Sequence, residues 1–483
     1  MERDGASSNV KSEKTEYYTN LNKNVPTFGV RHVQIILAFL FLTIGYAMRS
    51  SLSVAIVAMT TDVSSNPDIP FYDWDNTSVI LSSFFWGYIW LQVLAGYLGR
   101  LYGIKYILLT AFFINSVIFM LIPTGAEYLG SVGVMICRIG QGLSQGFLFP
   151  SAHNILGRWA PAEERTQLST FVYSGTALGQ IFASVATGYI SSSSMGWPGS
   201  FYILGSTGIG WCVLWWSLGQ DSPRSHPYIS EEEKTYLENS LGQNKEKEVI
   251  ATPWKEIFSS RPVWAIFLAT IGNSWVSAMS ITELPTYLDK IMNLDLKMNG
   301  IVNGVAPALY LILCFVWGII ADYVIGRGYI STVTARKMSE IIGNVGHSVC
   351  LIAISYLSRA HSYIAVAILL STSIFSAIKT SGSQINHMDL SPRFSGVLMG
   401  IVNSPSQTIA IFSPLLVQFI VADQNDATQW RTIFIVCAAI SIFTATLFFF
   451  MASATRQSWD GPIDKAIHSE RVKKASVISI STM

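Results

Sequence analysis

Twelve apolar stretches of about 20 residues interrupt this 483-residue chain, at about 33–60, 79–99, 104–122, 131–150, 167–190, 200–219, 262–288, 299–321, 338–357, 361–385, 395–421 and 431–453. Wound as helices, stretches of that length match the ~30 Å hydrocarbon core of a bilayer. Backbone in lipid must satisfy its own hydrogen bonds, which leaves helices as the spanning structure. The pattern predicts an all-α membrane protein with twelve transmembrane helices. Composition agrees: 50% of residues are hydrophobic and 13% are charged, about half the charged share of a soluble domain. A net charge of +1 offers no field for nucleic acid. Cys137, Cys212, Cys314, Cys350 and Cys437 all fall inside apolar stretches, without disulfide or zinc spacing. With no P-loop, nucleophile elbow or metal-ligand spacing, no cofactor, metal or enzymatic chemistry is expected.

Of the 31 Lys and Arg residues, 24 lie in tails and loops on the N-terminal side of the spans. Only Lys290, Lys297, Arg359 and Arg431 lie in loops on the other side. The positive-inside bias therefore puts both termini in the cytoplasm. Residues 1–32 are a polar tail without a signal peptide's cleavage pattern, and 454–483 form a second tail. A charge-rich linker, 220–261, separates a half at 33–219 from a half at 262–453, six spans each. Ser230 and Glu233 have capping-box spacing, so the linker holds either a short surface helix or solvated chain.

The halves repeat each other's landmarks. Gly96 and Gly318 end spans 2 and 8, Arg165 and Arg393 open spans 5 and 11, and Trp197 and Trp430 precede spans 6 and 12. In each tryptophan case a phenylalanine follows four residues later, Phe201 and Phe434. Two pseudo-symmetric six-helix halves are the layout of the major facilitator fold. Substrate there sits near the midplane, and rocking of the halves alternates access.

Charge inside a spanning helix is expensive and usually faces the bundle interior. Arg49, Arg138, Glu283 and Lys379 stand in spans 1, 4, 7 and 10, the spans expected to line the central cavity. Three positive charges against one negative predict a site for a small anion, with arginine suited to carboxylate or phosphate. Internal pairing of these charges is the alternative. Lys379 lies close enough to a span end to snorkel, and Glu283 is either a titrating gate or a residue of the outer mouth. Gln145 lies two turns from Arg138 and is expected on the same cavity face. His347 is expected to be a packing residue, and His153 and His387 to be paired locally.

The stretches YAMRSSLSVAIVAMT (46–60), SSFFWGY (82–88), QGLSQGFLFPSAHNILGRWAPAEER (141–165), LPTYL (284–288) and NHMDLSPRFSGVLMGIVN (386–403) resemble one family over roughly residues 30–455. It is the anion:cation symporter family, with type I sodium–phosphate cotransporters, sialin and the vesicular glutamate transporters. The resemblance implies transport of phosphate or an organic anion, driven by sodium, protons or membrane potential. It implies that Arg49 and Arg138 hold the substrate, with Tyr46, Tyr88, Tyr173 and Asn403 as cavity partners or packing residues.

Several positions depart from the family pattern. Gln145 stands where many relatives keep a glutamate. Leu81 replaces a histidine of the glutamate transporters, and Asn273 replaces their span-7 arginine. Arg100 replaces the acid of the loop after span 2, while Asp322 keeps its counterpart in the second half and, with Arg327, is expected to form a cytoplasmic gating loop. An insect-like phosphate or organic-anion relative fits best, working as a monomer in the lipid bilayer. A transport-inactive receptor on the same fold is the alternative. Asn76 begins a glycosylation sequon just before span 2. The plasma membrane is the expected location, and Tyr18-Thr19-Asn20-Leu21 matches a sorting signal for endolysosomal membranes.

Overall fold

The computed structural model describes residues 28–60, 66–74, 76–241, 251–282, 287–288, 290–292, 296–357, 361–421, 423 and 425–460. Glu283 and the Tyr18–Leu21 motif lie outside the described residues. The described chain is helical almost throughout. It opens with α1 (Val30–Thr60), α2 (Thr77–Tyr88), α3 (Gln92–Leu101) and α4 (Lys105–Met120). Next come α5 (Ile122–Gln145), α6 (Leu148–Trp159), α7 (Arg165–Ser191) and α8 (Gly196–Leu218). The linker carries α9 (Glu231–Leu241) and α10 (Trp254–Ser259). The second group holds α11 (Arg261–Thr282), α12 (Leu296–Gly326), α13 (Thr332–Ser355), α14 (Ser362–Thr380), α15 (Ser383–Leu390), α16 (Ser395–Ile420) and α17 (Ala427–Met451).

The expected stretches are helical over most of their described residues, with breaks at 89–91, 146–147 and 381–382. Among those residues, eight helices are long and apolar enough to cross a membrane, or nine if the pair Lys105–Met120 and Ile122–Trp159, bent by 68°, is one span. Helices α7 and α16 have the length, but Ser, Thr, Gly, Gln and Asn dilute their apolar character. Helix α5 is broken at Gly130, just before the fourth stretch, where glycine adopts the φ of +57° without strain. The helix thus restarts at about the residue where the apolar run begins.

Small residues let the helices touch backbone to backbone. A methyl group on Gly175 of α7 would meet the carbonyl oxygen of Phe39 on α1 at 2.7 Å. The repeat landmarks Gly96 and Gly318 occupy matching contacts between the two groups of helices. Gly96 on α3 abuts the backbone of Gly396 on α16, and a methyl on Gly318 of α12 would meet Cα of Gln167 on α7 at 3.0 Å. Two apolar clusters fill residues 30–241, joined by Ile385, Met388 and Met399, and two more fill 257–459.

The linker helix forms, with the Ser230 hydroxyl accepting from the Glu233 amide at 3.2 Å. The Glu233 side chain does not complete the capping box. It is buried and accepts instead from the amides of Val30 (2.9 Å) and Arg31 (3.0 Å) at the start of α1. A carboxylate there satisfies helix donors that have no partner within the helix.

Candidate functional site

Charged and aromatic residues from both groups of helices converge on one cavity of about 1080 Å³. Arg49 on α1 and Arg138 on α5 form one wall, and Lys379 on α14 with Asn273 on α11 the other. The FFWGY motif explains how Arg49 is held. Its guanidinium lies over the rings of Phe84 (4.8 Å), Phe85 (5.0 Å), Tyr88 (5.1 Å) and Tyr46 (5.3 Å). Such faces attract a cation without neutralising it. Arg138, 3% exposed, donates to Gln141 Oε1 at 2.8 Å and to the carbonyl of Arg49 at 3.5 Å, while its Nε has no partner. Among the described residues, Arg49, Arg138 and Lys379 form no salt bridge.

Tyr46, Tyr173 and Asn403 line the cavity as well. Tyr88 does not. It is buried behind Arg49, and its hydroxyl accepts from Asn403 Nδ2 at 3.3 Å. Gln145 also misses the cavity, contrary to expectation, because α1 covers that turn of α5. Its Nε2 donates to the Gly45 carbonyl at 3.0 Å, and its Oε1 is buried without a partner. Lys379 does not snorkel: it is 9% exposed, faces the cavity, and its Nζ has no hydrogen-bond partner among the described residues. Asn76 Nδ2 donates to the Ser131 hydroxyl at 3.2 Å, which engages the sequon amide.

The structure adds Glu340, on α13, to this picture. Glu340 is fully buried and accepts from Asn273 Nδ2 (2.8 Å), Asn344 Nδ2 (3.0 Å) and the Ser383 amide (2.8 Å). Counting cations within the spans does not reveal it, since it stands two residues inside the ninth stretch and reads as a loop boundary. His347 meets the Ser376 hydroxyl at 3.4 Å, and the rings of His153 and His387 lie 5.1 Å apart in an edge contact.

At the linker end, Asp322 accepts from the amides of Thr166 (3.2 Å) and Gln167 (2.6 Å) in the first turn of α7. Arg327 is not its partner; it is exposed and lies over Tyr323. The working cation is Arg336, which pairs with Asp389 at 2.7 Å and donates to Thr166 Oγ1 at 3.2 Å. Arg165 reaches the other oxygen of Asp389 at 3.1 Å, so α7, α13 and α15 are tied together beneath the cavity.

The profile of the Major Facilitator Superfamily matches residues 36–335. A candidate inorganic phosphate cotransporter of Drosophila melanogaster is 32% identical over 464 residues, covering 90% of this chain and 87% of that protein. Sialin of Homo sapiens is 32% identical over 455 residues, covering 89% and 91%. Vesicular glutamate transporter 3 of Danio rerio is 32% identical over 451 residues, covering 90% and 75%. The proton:xylose symporter XylE, solved with 6-bromo-6-deoxy-D-glucose, superposes with a TM-score of 0.67 at 14% identity, covering 88% of this chain and 98% of that one, and so shares its fold. The chain belongs to the Major Facilitator Superfamily and, within it, to the anion:cation symporter family of the phosphate cotransporters, sialin and the vesicular glutamate transporters.

Proposed function

We propose that the protein is a secondary transporter that carries inorganic phosphate or a small organic anion by alternating access. The observation that carries this reading is the pair Arg49 and Arg138. Both face one cavity between two groups of helices, and among the described residues neither is neutralised by a carboxylate. A buried charge left unpaired is costly, and an anionic substrate supplies the missing partner. The names of the relatives, among them a phosphate cotransporter and glutamate transporters, point to the same class of substrate.

In this reading twelve spans form two six-helix halves, 33–219 and 262–453, acting as a monomer with both termini in the cytoplasm of a plasma-membrane protein. Tyr46, Tyr173 and Asn403 complete the substrate site, and Tyr88 positions Arg49. Asp322, Arg336, Asp389 and Arg165 form the cytoplasmic gate, which must break for the cavity to open inward. Coupling falls to an ion other than one carried at position 145, where the glutamine cannot titrate.

Reconstitution into liposomes tests this. Labelled phosphate and a panel of mono- and dicarboxylates are offered under imposed proton, sodium and voltage gradients. Saturable uptake of at least one anion is expected, with Arg138→Ala and Arg49→Ala each abolishing it. Uptake that survives either substitution overturns the site, and no uptake under any gradient favours a receptor on the same fold.

A further inference from the structure

Gly343 brings α13 and α14 into backbone contact, and this puts Lys379 one turn beyond Glu340. A methyl group on Gly343 would meet Lys379 Cβ at 2.6 Å and the Phe375 carbonyl oxygen at 2.8 Å. Lys379 interacts electrostatically with Glu340 but forms no bond to it, because the glutamate's two oxygens already take three N–H donors. Those donors fix the Glu340 carboxylate in place beside α14. The other groups around Lys379 are His347 on α13 and, on α12, Tyr310, whose hydroxyl lies 3.2 Å from Thr380 Oγ1, and Cys314. Across the cavity stand Arg49, Arg138, Tyr46 and Tyr173. Among the described residues, Lys379 is the cavity cation with neither an aromatic face nor a hydrogen bond for its charge.

Charge balance then depends on what the cavity holds. Among the described residues, the formal charges of Arg49, Arg138 and Glu340 sum to one positive charge, which a monoanion cancels. A dianion leaves one negative charge, and a protonated Lys379 cancels it. Net charge held between low-dielectric helix walls is costly, so dianion and proton stabilise each other's presence there, with reciprocal linkage.

Building on the anion-transport reading above, we propose that Lys379 is the proton carrier of this transporter, taking up one proton with each dianion. The Nζ lone pair forms its N–H bond with a proton from water on the loading side. That bond breaks as the dianion leaves, and the proton passes to water on the release side. Glu340, one turn away across the contact of α13 with α14, positions the amine, and the co-transported ion is a proton.

The test uses the full chain in liposomes, with labelled succinate and, at a pH above the second ionisation of phosphate, labelled phosphate as dianions, and labelled gluconate as a monoanion. Two quantities are measured for each: anion exchange at equal pH, and accumulation driven by a pH gradient. In detergent, proton uptake on binding is read with a pH dye. For the wild type we expect about one proton per dianion and none for gluconate, as the linkage requires. Lys379→Arg, fixed in its charge, and Lys379→Met, fixed neutral, should each lower the ratio of driven accumulation to exchange at least about tenfold. Both should also abolish proton uptake on binding. Because the readout is a ratio, a smaller folded fraction does not mimic it. Driven accumulation in proportion to exchange in either variant overturns the assignment while leaving anion transport standing. Wild-type protein that neither binds nor exchanges any of the three anions overturns the anion reading itself.

Discussion

Arg49 and Arg138 share one aromatic ring: the guanidinium carbon of each lies 4.8 Å from the centroid of Phe84. Two like charges at one wall repel, and the ring between them gives each an attractive face worth about 0.5–2 kcal/mol. Arg49 has three further rings, whereas Phe84 is the only ring recorded over Arg138. Phe84→Leu removes the face while keeping the site apolar. The Michaelis constant for anion uptake should rise about 3- to 30-fold, since 1.4 kcal/mol is a factor of ten. Saturation kinetics in liposomes measure it, and an unchanged constant reduces Phe84 to a packing residue.

Arg49, Arg138 and Lys379 were legible in the sequence because a charge inside an apolar run has few reasons to be there. Glu340 was not, because Thr332–Glu340 alternates polar and apolar residues and resembles the end of a loop. Its meaning comes from α11 and α15, which bring Asn273 and Ser383 against it. Gln145 misled for a different reason. Spacing along a helix fixes a face, but the cavity is bounded by whichever neighbour covers that face, here α1 at Gly45. The contact at the linker end was hidden for the same reason: Asp322 was visible beside the landmark Gly318, yet Arg336, which meets it at Thr166, is nine residues beyond Arg327 and on the next helix.

Gly343 offers a way to move Lys379 without altering its chemistry. The atoms that would oppose a methyl there are the Lys379 Cβ and amide nitrogen and the Phe375 carbonyl oxygen, none of which can swing aside. Gly343→Ala must push α14 away from α13, and packed interiors absorb such shifts poorly. Maximal uptake should fall about tenfold or more. Gly326→Ala, where nothing lies within 4 Å of the added methyl, is the control and should transport normally. Equal uptake by both variants would show that the helix contact has no bearing on the site.

Glu233 fastens the linker to the first spanning helix. Its carboxylate takes two amides of α1 and Arg31 Nη1 at 3.2 Å, and Arg31 also pairs with Glu164 at 3.1 Å. Glu233→Ala strands two helix amides and takes one carboxylate from a buried guanidinium, which keeps its pair with Glu164 and its place over Tyr236. Charged hydrogen bonds of this kind contribute about 1.5–3 kcal/mol. The thermal midpoint in detergent should drop by about 3–10 °C on the scale of a domain this size. Glu233→Gln, which keeps an acceptor, should lose about half as much. A midpoint unchanged in the alanine variant would mean that the linker helix is not fastened to α1 in solution.

The chain's second half lacks one contact that its first half has, and the C-terminal segment restores it. Asp322 caps α7, but at the matching start of α16 the acid has been replaced by Arg100, which stacks on Phe394 at 4.3 Å. Asp460 comes to that place instead, accepting from the Ser391 hydroxyl and pairing with Arg456, while Trp459 packs against Phe394 and the Gln457 amide donates to the Leu390 carbonyl at 2.9 Å. Burial pushes the Asp460 carboxyl above the ordinary aspartate range, and Arg456, Ser391 and Arg393 only partly offset it. A raised value in the docked state means that docking takes up a proton. The contribution is complete below the ordinary aspartate value and is lost as pH rises through the docked value. Asp460→Asn has no such dependence, and its amide oxygen can still accept from Ser391. In a Q457C background, maleimide labelling measures how often the segment lifts away. The labelling rate of the otherwise unaltered protein, divided by that of its Asp460→Asn counterpart, should climb from mildly acidic pH toward neutrality, and taking the ratio cancels the thiol's own ionisation. A ratio flat with pH would mean that Asp460 docks as a carboxylate and that the ion pair with Arg456 outweighs its burial.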